Sequence, residues 1–168
     1  MDIRLLNRSD LDAFKVIRLN TLKNSPEAFG SSYEEEVEFP DEVFINRLED
    51  KSTRTFGAFE NEELIGLCRL IFRERRKINH KADICSVYVE PHMRQKGVGR
   101  LLLTKAIEAA RDSGLVEQLY LMVLSGNIAA NALYQSLGFK TYGVEERSVK
   151  IEDNYYDFDL MVLFLRDE

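Results

Sequence analysis

Val87-Tyr88-Val89-Glu90-Pro91-His92-Met93-Arg94-Gln95-Lys96-Gly97-Val98-Gly99-Arg100-Leu101-Leu102-Leu103 reads as a strand that breaks, a turn, and the opening of a helix. Pro91 stops the strand because proline cannot donate to a ladder. An apolar pattern at helical spacing then runs from Val98 to about Ser113, with Leu101, Leu102 and Ile107 on the expected core stripe and Gly114 as a natural end. The first amides of such a helix lack partners along the chain and point outward, where the helix dipole favours an anion. Gly97 and Gly99 leave room for a diphosphate to approach, and Arg94, Lys96 and Arg100 add positive charge. The plainer reading of the two glycines is a tight turn with close packing.

Two other phosphate motifs are excluded. Leu102 stands where a dinucleotide fingerprint requires its third glycine, and no G-x-x-x-x-G-K followed by Ser or Thr occurs. On either side of the junction, Ala82 to Val89 and Gln118 to Leu124 are strand-like, so a strand, a right-handed crossover helix and a second strand require a parallel pair. Upstream, Thr53 to Phe59 and Leu64 to Phe72 form an antiparallel hairpin across the polar stretch Glu60 to Glu63. Strict alternation in Ala82 to Val89 puts Asp83, Cys85, Val87 and Val89 on one face.

Further out, Ile3, Leu5 and Leu6 begin a strand, and Ser9 with Asp12 resembles a helix-capping pair. The helix that follows carries Leu11, Phe14, Val16, Ile17, Leu19 and Leu22 as its apolar stripe and ends before Asn24-Ser25-Pro26. Pro26 to Phe39 is a loop or short helix, and a second helix follows Pro40 to about Asp50. Downstream, Asn127 to Leu137 is a helix closed by Gly138, Lys140 to Val144 restarts extended structure, and Tyr155 to Leu165 is a final apolar strand. The order predicts a mixed α/β (α+β) fold: a central, mostly antiparallel sheet, one parallel pair, helices on both faces.

At 168 residues the chain is about one domain, spanning 1–168. A net charge of −6 argues against generic binding to nucleic acid or to anionic membranes. Arg73 to Lys81 is a basic cluster read as a solvated loop. Cys68 and Cys85 are far from any metal or disulfide spacing, so buried free thiols, no metal and a cytoplasmic location are expected. The N-terminus lacks an apolar signal core, and no stretch is long enough to span a membrane.

Arg94-x-x-Gly97-x-Gly99 after a strand and opening a helix, together with Asn127, Ala130, Leu133-Tyr134 and Gly138-Phe139, resembles the GNAT superfamily of N-acetyltransferases. The resemblance spans about Thr53 to Leu165 and is weakest over the N-terminal helices. It implies the family's three-layer fold, with the parallel strands splayed, and acetyl-CoA as acyl-donor cosubstrate. It assigns the diphosphate to the backbone amides of Gln95, Lys96, Gly97, Val98, Gly99 and Arg100. The pantetheine arm falls to the main chain of Val87 and Val89 and to Asn127, assisted by Asn131. A strand edge can bind pantetheine as it binds a peptide, because both present amides at similar spacing.

The implied reaction is direct acetyl transfer to a primary amine of a small molecule or a protein, with no acyl-enzyme. The Val87 N–H is the candidate oxyanion donor and Tyr134 the general acid that protonates the departing thiolate. Asp83 holds the strand position where some relatives carry a glutamate base; His80, Glu90 and Asp157 are lesser candidates, and His92 is a loop residue. Asn154 to Asp157 is an expected wall of the acceptor pocket, and Glu34, Glu35, Glu36 and Glu38 either attract a cationic acceptor or form a solvated face. A homodimer is compatible with the resemblance. The alternative function is a non-catalytic acyl-CoA sensor.

Overall fold

The computed structural model describes residues 1–166, and the last two residues of the expected domain, Asp167 and Glu168, lie outside them. The strands are β1 Asp2–Leu5, β2 Thr53–Glu60, β3 Glu63–Phe72, β4 Lys81–Val89, β5 Gln118–Leu124, β6 Lys140–Ile151 and β7 Asn154–Phe164. The α-helices are α1 Leu11–Asn24, α2 Tyr33–Glu36, α3 Asp41–Glu49, α4 Val98–Asp112 and α5 Ile128–Ser136. Among the described residues the seven strands share one sheet in the order β1-β2-β3-β4-β5-β7-β6, and only the β4–β5 pair is parallel.

Two hydrophobic cores cover the two faces. On one, Val98, Leu102, Leu103, Ala106 and Ala110 of α4 pack with Tyr134 of α5 against inward residues of β2 to β5 and β7. On the other, Phe14 and Ile17 of α1 and Phe44 of α3 pack on Leu64, Leu67 and Tyr88. Phe14 meets Phe44 edge to face at 6.2 Å, the arrangement ring quadrupoles favour. No helix among the described residues is long and apolar enough to cross a membrane.

Several local expectations shift. The capping box before α1 is Asn7 with Asp10, not Ser9 with Asp12: the Asn7 side chain accepts the Ser9 N–H, and Asp10 accepts the Asn7 N–H at 2.9 Å. Val16 leaves the α1 stripe and is 61% exposed, while Arg18 and Thr21 are buried. Leu101 likewise faces out, and Leu103 takes its place in the core. The β2–β3 turn is tighter than the polar stretch implied, with Asn61 and Glu62 both at positive φ as a two-residue hairpin requires. β6 runs seven residues beyond Val144 to Ile151; as an edge strand with mostly exposed residues it carries little apolar alternation to reveal it.

Candidate functional site

The opening in the sheet starts from one residue. Ser86 adopts a left-handed φ of 52°, and the β3 register jumps from Leu67↔Tyr88 to Arg69↔Cys85, so Ser86 and Val87 together occupy the interval opposite Cys68. A bulge of this kind bends its strand and increases its twist. β4 accordingly pairs with β5 only from Lys81↔Gln118 to Asp83↔Tyr120 and then diverges. The bulge also overturns the single-face expectation for Asp83, Cys85, Val87 and Val89. Ala82 and Ile84 point into the α4 core, whereas Tyr88 points into the α1 core, and Val87 and Val89 pack on the α4 side, opposite to Asp83 and Cys85.

Between the diverging strands lies a cleft of about 990 Å³ that penetrates the sheet. Its wall includes Val87, Val89, Leu133 and Tyr134 toward α4 and α5, and Cys85, Tyr120 and Phe29 toward the other face. The Glu90 N–H bonds to Ile65 O at 2.9 Å, so that residue's polar groups face β3. Polar groups alternate in direction along a strand, so those of Val87 and Val89 face the cleft. In agreement, Arg94 Nε donates to Val89 O at 3.0 Å from the cleft side.

At one end of the cleft stands the N-terminus of α4. Gly97 precedes it at φ 82° with no side-chain cap, and the first helical bond is Leu101 N–H to Gly97 O. The amides of Val98, Gly99 and Arg100 therefore have no partner within the helix. Gln95 is also left-handed, with φ 63°. A Cβ on Gly97 would meet only open space, and one on Gly99 would come within 3.3 Å of Leu133. The plainer reading holds at Gly99, whose missing Cβ lets α4 approach α5, while the space beside Gly97 is open. Gly97→Ala should cost about 1 kcal/mol of stability through its positive φ and weaken acetyl-CoA binding, as denaturant titration and calorimetry would read.

The basic side chains here are committed to the protein: Arg100 donates to Ser136 Oγ at 2.6 Å, and Lys96 Nζ lies 3.6 Å from Met93 Sδ, outside the cleft lining. Asn127 is the cap of α5, its Oδ1 accepting the Ala130 N–H at 3.1 Å, and it also lines the cleft. Asn131 is a correction. Its amide donates to Leu124 O and Asn127 O, and it fixes the β5–α5 turn instead of lining the cleft.

Tyr134 is 6% exposed, stacks edge-on against Phe139 and lines the cleft. Burial, reinforced by the neighbouring Cys68 thiol, pushes its phenol well above the ordinary tyrosine range. Cys68 is fully buried and its thiol is raised for the same reason, whereas Cys85, against expectation, is only half-buried and lines the cleft.

The far end of the cleft holds Arg73, Asp83, Tyr120 and Tyr142. Asp83 is engaged by a two-bond fork, Arg73 Nε to Oδ2 at 2.7 Å and Nη2 to Oδ1 at 2.6 Å. Both carboxylate oxygens are thus occupied by one planar guanidinium. Arg73 is also withdrawn from the solvated basic loop by this pair. Of the lesser candidates, Glu90 is bonded to Asn20 and Tyr88 away from the cleft, and His80 offers its carbonyl to Glu117 and Gln118. Asp157 accepts the Arg147 N–H and, with Tyr155 and Tyr156, lines a smaller neighbouring depression.

The acidic run contains a structural residue that composition did not separate from its neighbours. Glu36 is 1% exposed and accepts from both Arg18 and Arg47 at 2.8 Å. Burial pushes its carboxyl up, but the two guanidiniums outweigh it and hold the group at about 2.

Comparison with known proteins gives this splayed pair, with a helix N-terminus at its mouth, a family. The model of the acetyltransferase (GNAT) family matches residues 19–139. The N-alpha-acetyltransferase RimI of Mycobacterium tuberculosis is 31% identical over 113 residues, 67% of this chain and 68% of that protein. The crystal structure of a GNAT-family acetyltransferase from Streptococcus pneumoniae matches with a TM-score of 0.85 and 27% identity, over 98% of this chain and 99% of the other. The structure of yncA, a putative acetyltransferase from Salmonella typhimurium with its cofactor acetyl-CoA, shares the fold at a TM-score of 0.86 and 22% identity, covering 100% and 95%. The chain belongs to the acetyltransferase (GNAT) family. Its enzyme class is N-acetyltransferase.

Proposed function

We propose that this protein is a single-domain cytoplasmic enzyme that moves an acetyl group from acetyl-CoA directly to a primary amine of a small molecule or a protein. The observation that carries this reading is the cleft itself: free helix amides at its mouth, a strand edge of β4 unpaired by β5 along its wall, and Tyr134 among its lining residues. These suit a molecule with a diphosphate at one end and peptide-like amides along its arm. The open space at Gly97, the outward polar groups of Val87 and the outward N–H of Val89 fit it.

Acetyl-CoA supplies an acyl carbon already activated as a thioester. The amides from Gln95 to Arg100 hold the diphosphate, and Val87, Val89 and Asn127 align the arm. The Val87 N–H stabilises negative charge on the thioester oxygen as the neutral amine attacks. A C–N bond forms and the C–S bond breaks; Tyr134 protonates the leaving sulfur, and the proton lost by the amine passes through water in the open cleft and restores the phenol. Coenzyme A release from acetyl-CoA, measured with a broad amine panel, tests this. Acceptor-dependent release is expected. Binding of acetyl-CoA with no release from any amine would make the protein a sensor instead.

A further inference from the structure

The geometry points to Arg73 as a specificity-determining residue that receives the acceptor, and to an acceptor carrying a carboxylate close to its amine, of the α-amino acid type. This inference rests on the acetyl-transfer reading above and names the substrate class of the same cleft.

The chain as a whole carries −6, yet the face of the sheet onto which the cleft opens is cationic. There Arg18, Arg47, Arg69, Arg73 and Lys81 stand against Glu36, Asp83 and Glu90, and of these Arg73 and Asp83 line the cleft. Arg69 lies opposite Cys85 in the β3–β4 register, and its buried Nε has no partner among the described residues. Lys81 and Arg73 both sit over the Tyr120 ring, at 5.5 and 5.1 Å. Glu27 and Asp157 belong to the neighbouring depression. A polycationic acceptor would meet repulsion here, and an anionic group would be drawn in.

Arg73 can take that group because its fork is only partly used. Asp83 engages Nε and Nη2, which leaves the Nη1 edge of a planar five-donor group for a second carboxylate. Asp83 and the Tyr120 ring hold the guanidinium in place, so Asp83 is a positioning residue. Tyr120 and Tyr142, edge to face at 5.8 Å, and the half-exposed Met122 provide an apolar wall beside it for a side chain.

The test uses the full chain with acetyl-CoA and three families of acceptor: phenylalanine, methionine and leucine, their carboxamides, and their decarboxylated amines, with spermidine as a polycation. For the best amino acid, kcat/KM should exceed that of its amide and amine at least tenfold. Arg73→Gln should erase this preference through KM, and Arg73→Lys should restore part of it; KM for acetyl-CoA reports on the integrity of the rest of the site. The comparison within the native enzyme stands even if a variant fails to fold. Equal or better turnover of amides, amines or spermidine, or a preference that survives Arg73→Gln, would overturn the proposal alone. No release with any acceptor would overturn the transfer reading, and this inference with it.

Discussion

Tyr134→Phe is expected to lower kcat by about a hundredfold or more, the contribution of a positioned general acid, with acetyl-CoA affinity staying close to that of the native protein. The phenol oxygen is the only atom removed, and among the described residues it has no hydrogen-bond partner whose loss would disturb the fold. Its raised pKa gives the prediction a second edge. A buried phenol remains protonated beyond the ordinary tyrosine value of about 10, so the native enzyme shows no loss of the acid as pH rises toward that value. Steady-state kinetics from neutral pH to about 10 reads both effects. An unchanged kcat in the variant would remove Tyr134 from the mechanism.

Glu36→Gln destabilises the protein by about 3–5 kcal/mol, because it leaves Arg18 and Arg47 without the anion that compensates their burial. That is a large share of the roughly 5–15 kcal/mol by which domains of this size are stable. The pH dependence follows from the same pair. The folded carboxyl sits at about 2, below its ordinary 4.5, so its stabilisation is present above pH 4.5 and is lost as pH falls toward 2. The loss amounts to roughly 3 kcal/mol. Urea midpoints measured down this range should fall steeply in the native protein and less in Glu36→Gln. Asp10, held low mainly by its bonds from Arg4, contributes a part that both proteins share. Parallel pH curves for the two would mean that Glu36 is not the anion that matters.

Much of the site was legible because it is local. The run from Val87 to Leu103 encodes a strand stop, a left-handed glycine and an uncapped helix start within a few residues, and the chain folds there as its pattern implies. The Asn127 cap and the Gly138 helix end are legible for the same reason. The partners of Asp83 and Asn131 were not legible, for a different reason. Each carries a polar side chain whose partner is set by distance in space: Arg73 ten residues back across a hairpin, and Leu124 O across a turn. The Ser86 bulge escaped detection because serine has no special preference for positive φ, and alternation read straight through it put Asp83 and Val87 on the same face.

Composition and periodicity by themselves determined the succession of strands and helices, the parallel crossover and the uncapped helix start, since these depend on neighbours three or four residues away. Only the tertiary structure decided which charges meet. Glu36 looks identical to Glu34, Glu35 and Glu38 in the chain, yet it alone is buried between Arg18 of one helix and Arg47 of another. Ion pairing follows distance through space, and that distance exists only once the helices have packed on the sheet.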